Sequence, residues 1–217
     1  DFRRTRSLLD FRHLVDGLRD PKLGPPLFVF AVTPFAFGGY MIALPLDAGA
    51  RFGWGAKELG LFFTAFGAVA AAMQGWGFGK LAPRFGDRRL AVIGMFGMIL
   101  PVAIVPWLPS GAWIYGWTMA LALANSLVSP ALTGLISRLA GPEEQGAMLG
   151  TAQGLSALGR FSGPIAYGAL YDRASSAMTF LAVGAVMLIA ALISVRMPEG
   201  GHPPHLATAS AAPALAE

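Results

Sequence analysis

Six long apolar runs, at about residues 27–46, 58–79, 90–108, 112–136, 146–171 and 177–195, constrain this chain most tightly. Each approaches or exceeds the ~20 residues that carry an α-helix across a ~30 Å hydrocarbon core. No water satisfies the backbone at that depth, so only helices or a closed barrel can span it. The runs are continuous rather than alternating in polarity, which argues against barrel strands. The expected fold is all-α and integral to a lipid bilayer, with six transmembrane helices over residues 26–196. Composition agrees: 13% of residues are charged, about half the ~25% of a soluble domain. Too little polar surface is available to cover a water-soluble globule.

Charge placement predicts orientation. Arg3, Arg4, Arg6, Arg12, Arg19 and Lys22 precede the first run, and Lys80, Arg84, Arg88 and Arg89 follow the second. Arg138 and Arg196 fall on the same side, whereas Arg51, Lys57 and Arg173 fall on the other. An excess of Lys and Arg marks the cytoplasmic side, so both ends of this segment are expected there. The net charge of +4 is gathered in loops and a tail, not along a face with interleaved aromatics, so nucleic acid is not an expected partner. Residues 1–25 read as a cytoplasmic loop carrying a short amphipathic helix, with Leu8, Phe11, Val15 and Leu18 at helical spacing and Pro21 ending it. Residues 197–217, rich in Pro, Ala and Gly, read as a disordered cytoplasmic tail.

Polar groups at membrane depth are costly, so each one is a candidate for function. Gln74, Asn125, Gln153, Ser156, Arg160, Tyr40 and Tyr167 are the candidates for a substrate cavity, with Thr33 and Ser126 as weaker members. At 100° per residue, Gln153, Ser156, Arg160 and Tyr167 fall within a stripe of roughly 80° on the fifth helix, apart from most of its glycines. Such a seam suits the wall of a wet cavity. Hydrogen bonds between helices account equally well for Gln74 and Asn125, and Arg160 could instead snorkel to an interface.

Glycines recur every four or five residues along the fifth helix, with Gly146, Gly150, Gly154 and Gly163 as candidate packing positions. No carboxylate stands mid-helix, all three histidines lie in the tails, and cysteine is absent. No catalytic set, metal cluster or phosphate loop is therefore visible at membrane depth, and an enzyme is not expected.

Between the second and third runs stands GKLAPRFGDRR, residues 79–89. It resembles the loop signature of the major facilitator superfamily, G-x-x-x-(D)-R-x-G-x-R-R, with Gly79, Arg84, Gly86, Arg88 and Arg89 matching and Pro83 at the acidic position. The stretches LPLDAGARFGWGAKELGLFFTAFG and EEQGAMLGTAQGLSALGRFSGPIAYGALYD look like helices of its drug:proton antiporter branch, which includes the tetracycline pumps.

That resemblance implies the C-terminal half of a twelve-helix transporter, missing its N-terminal six-helix half and sited in a bacterial inner membrane. It further implies alternating-access export of a small organic molecule or drug, with a proton gradient as energy source and no cofactor. The loop residues would then belong to a cytoplasmic gate, although without an acid at Pro83 they serve equally well as a topological anchor. A sugar or organic-anion porter of the same superfamily, with Arg160 as anion anchor, stays open. So does a non-transporting six-helix scaffold or half-transporter.

Overall fold

The computed structural model describes residues 17–200. Six long helices fill them. They are α1 (Gly24–Phe52), α2 (Ala56–Phe85), α3 (Asp87–Ala103), α4 (Gly111–Leu139), α5 (Gln145–Arg173) and α6 (Ser176–Ser194). A 3₁₀ turn, Val105–Trp107, follows α3, and a π-helical turn, Met73–Gly77, is wound into α2.

Local chemistry sets the helix ends. Before α1, the Asp20 carboxylate accepts the N–H groups of Lys22 (2.7 Å) and Leu23 (2.9 Å). These donors, Leu23 first, hold its carboxyl below the usual carboxylate value. Pro25 and Pro26 then occupy the first turn, where an N–H would have no helical partner. Between α2 and α3 a single residue turns the chain: Gly86, at φ 75° and ψ 157°, ends one helix and begins the next. Only glycine adopts that backbone without strain.

Most helices run a few residues past their apolar runs, because a helix remains the cheapest backbone through the headgroup layer as well. Among the described residues five helices are long and apolar enough to span a membrane. The exception is α5, although it has 29 residues. Its apolar run was expected to resemble the others, but glycine, Gln153, Ser156 and Arg160 dilute it.

The helices pack chiefly as two pairs, α1 with α5 and α3 with α4, and α6 bridges α1 to α3. Backbones approach most closely along the α1–α5 seam. A Cβ on Gly159 would stand 2.5 Å from the Ala31 carbonyl oxygen, and one on Gly163 would strike that of Phe35. In return, Gly38 receives the Pro164 ring and Gly39 the Tyr167 ring. This is the close approach that small residues allow where lipid supplies no hydrophobic drive. By contrast α2 touches mainly α4, and only 6% of its most apolar window is buried.

At the Arg51 end a buried carboxylate ties three elements together. Asp47, 2% exposed, pairs with Arg51 Nη1 at 3.0 Å and accepts the Ser176 hydroxyl at 2.5 Å. Arg51 also donates to the carbonyls of Val105 and Leu108. Asp47 and its partner Arg51 thus make the joint between α1, α6 and the turn after α3. Asp47→Ala leaves Arg51 and Ser176 without their shared acceptor and is expected to destabilise the bundle by about 2 kcal/mol. A thermal midpoint in detergent equal to that of the parent protein would show the joint to be idle.

Three expectations are corrected here. Gly146, Gly150 and Gly154 have nothing within 4 Å of where a Cβ would stand, so within this bundle they pack on no described neighbour. The boundary drawn after residue 25 moves, since α1 already begins at Gly24. The tail is packed at its start, with Met197 1% exposed and Glu199 paired to Arg88. Most of the expected amphipathic helix, and the tail beyond Gly200, lie outside the described residues.

Candidate functional site

Residues near the middle of three helices meet at a cavity of about 180 Å³. Asn125 stands 14 residues from either end of α4, and Arg160 stands 15 from the start of α5 and 13 from its end. Thr33, Pro34 and Phe37 join them from α1, with Ser129 and Ser156 completing the polar lining. Phe30, Phe37, Val128 and Leu132 supply apolar wall. The cavity is smaller than the about 300–1,000 Å³ that a drug-sized pocket usually encloses.

Local bonding decides which polar groups are free. The Thr33 hydroxyl donates to the Val29 carbonyl at 2.6 Å and is spoken for within its own helix. Arg160 Nη1 donates to Ser156 Oγ at 2.8 Å, fixing the guanidinium one turn above the serine. A guanidinium carries five N–H donors, and among the described residues Arg160 makes no other side-chain hydrogen bond or ion pair. It is an exposed cation near the middle of its helix.

The other candidates scatter. Tyr40 is fully buried, its hydroxyl 2.7 Å from that of Thr118, and it lies outside the cavity lining. Tyr167 is 4% exposed against Gly39 and Phe35, with its hydroxyl unbonded. Ser126 is buried and bonds back to the Ala122 carbonyl. Gln74 is exposed on the π turn of α2, and Gln153 is exposed on α5. The polar seam of α5 is therefore divided: Ser156 and Tyr167 turn inward, while Gln153 and Arg160 turn outward. Gly163 belongs to the inward side, against the Phe35 backbone. Sequence reasoning missed Ser129, one turn from Asn125 on the same face of α4, and the lining residues Phe30 and Phe37.

The loop motif forms a second polar site at the far end of α2. Arg88 donates to the Glu199 carboxylate at 3.2 Å and to the Val195 carbonyl at 2.7 Å, just beyond the end of α6. Asp87, 8% exposed, pairs with Arg138 at the end of α4 and nests against Gly134, where a Cβ would collide with it. Arg84 and Arg89 are exposed, and Gly79 has open space beside it.

A family model described as the Major Facilitator Superfamily matches residues 27–216. The chain belongs to that superfamily. Its members are transporters rather than enzymes, and the loop motif and six-helix bundle are the superfamily's features. A tetracycline resistance protein of class G from Vibrio anguillarum is 31% identical over 150 residues, 68% of this chain and 38% of that protein. Multidrug resistance protein 2 of Bacillus subtilis is 31% identical over 160 residues, 73% of this chain and 39% of its own length. The chain thus spans about two fifths of these relatives.

Among solved structures, the human organic anion transporter MFSD10 superposes with a TM-score of 0.72 at 21% identity, over 79% of this chain and 40% of that one. A peptide transporter crystallised with sulfate gives 0.68 at 19% identity, over 94% of this chain and 46% of its own. Both likenesses bear on the fold: the bundle is half of a major facilitator fold.

Proposed function

We propose that this chain forms one half of an exporter of small organic molecules, working by alternating access around the cavity at Asn125 and Arg160. The carrying observation is that cavity: polar groups from α4 and α5 converge near helix midpoints, beside aromatic and aliphatic wall to which α1 contributes. Such a surface holds an amphipathic molecule by its apolar body and orients it by a few polar contacts. The tetracycline and multidrug resistance relatives favour drugs over nutrients and export over uptake.

A second six-helix half completes the cavity in this reading and rocks against the first. The exposed glycines of α2 and α5, which no described residue covers, suit a face that meets it. The basic end of the bundle lies in the cytoplasm and the membrane is a bacterial inner membrane. Export draws on a proton gradient, with no cofactor. Arg160 also favours a second reading, in which the substrate is an organic anion and its carboxylate takes the unpaired guanidinium donors.

Inverted membrane vesicles containing the intact protein test the first reading. A fluorescent cationic or zwitterionic drug should accumulate inside on acidification of the lumen and leak when an uncoupler is added. Accumulation indifferent to the gradient would remove proton coupling. Accumulation of organic anions alone would select the second reading.

A further inference from the structure

We propose that the pocket between the ends of α2, α3 and α4 binds the phosphate headgroup of an anionic phospholipid. The pocket measures about 610 Å³ and is lined by Arg84, Arg88, Arg89 and Arg138. Asp87 and Glu199 are the acids in its lining, and each is already engaged, with Arg138 and Arg88 respectively. Arg84 and Arg89 have no ion-pair or hydrogen-bond partner among the described residues. The Nε of Arg88 is shut off from solvent and likewise lacks an acceptor. The pocket therefore offers more donors than the bundle uses, in the planar fork geometry that suits phosphate oxygens.

The surroundings select a lipid over a soluble anion. Phe78 and Phe85 belong to the same lining, and Phe85 is 45% exposed. Just before Phe78 on α2, Trp76 is 69% exposed and carries the Lys80 ammonium 3.7 Å from its ring centroid. Exposed tryptophan and a basic side chain at a helix end mark the depth where headgroups meet acyl chains. Basic pockets between membrane helices on the cytoplasmic side accept anionic headgroups. A phosphate entering from the bilayer would meet Arg84 and Arg89 while its acyl chains lay along the nearly unburied face of α2. The proposal rests on membrane insertion with this end at a headgroup layer and is independent of the transported substrate and its direction.

The intact protein is placed in nanodiscs of phosphatidylglycerol and phosphatidylcholine with identical acyl chains, and lipids retained through delipidation are counted by native mass spectrometry. The parent protein is expected to keep phosphatidylglycerol selectively, and Arg84→Gln with Arg89→Gln to lower that retention on the order of tenfold. Lys57→Gln with Arg173→Gln, which removes the same charge at the opposite end, should leave it intact. Arg84→Lys with Arg89→Lys should keep most of it, a result that separates lost charge from lost fold. Equal retention in the two glutamine pairs would overturn the proposal, as it would if a protein carboxylate filled the pocket. Displacement of the lipid by excess inorganic phosphate would also overturn it, by marking a site for the free anion.

Discussion

Arg160→Ala is expected to lower the export rate of the transported molecule by about tenfold to a hundredfold while leaving the amount of folded protein in the membrane unchanged. A hydrogen bond to a charged group contributes about 1.5–3 kcal/mol, and each 1.4 kcal/mol is tenfold in binding. Arg160 has donors to offer because Ser156 takes only one of them. Its removal should not cost the bundle packing, since its side chain lies on the outward side of α5. Arg160→Lys separates the two readings of substrate. A point charge preserves attraction to an anion but not a bidentate grip, so an anionic substrate should keep part of its rate. Initial rates in vesicles, normalised to the monodisperse protein recovered by size exclusion, make the measurement. Kinetics unchanged from the parent would take Arg160 out of the site.

Gly163→Ala is expected to cost the bundle about 1–3 kcal/mol, and Gly163→Val to prevent assembly of the α1–α5 seam. The added Cβ meets backbone, the Phe35 carbonyl oxygen and its carbon, and no side chain can swing aside. Gly150→Ala, on the same helix, should leave the bundle's stability unchanged, because nothing described lies within 4 Å of the new methyl. Thermal midpoints in one detergent compare the two. A Gly163→Ala protein as stable as the parent would mean that α1 and α5 part more easily than their contact suggests. If Gly150→Ala impairs transport while the midpoint holds, the damage lies on a surface that another part of the protein covers.

Much of the fold was legible because its signals are local. A continuous apolar run reports its own length, and a glycine between arginines reports a turn; Gly86 indeed sits at φ 75°. Signals that depend on neighbours were harder to read. The stripe of Gln153, Ser156, Arg160 and Tyr167 is real as an angle, yet it straddles the edge of the α1 contact. An angle on one helix does not say where the next helix begins. The glycines of α5 look alike in sequence, but Gly159 and Gly163 touch α1 while Gly146, Gly150 and Gly154 face open space. Asp87 and Arg138 lie 51 positions apart, and their pairing could not be inferred from either one's surroundings. The cavity was half visible: Asn125, Ser156 and Arg160 were named, while Ser129 and the two phenylalanines carry no mark until the helices come together.

The π turn at Met73–Gly77 bears on how such a chain can change over time. An extra residue is wound into α2 there without lengthening the helix by a full step, so everything beyond it is turned by about 100° relative to what precedes it. Lys80, Arg84 and the loop owe their azimuth to that one residue. Loss or gain of a single codon within the turn would re-aim the basic end of the helix while leaving both halves of it unaltered in composition.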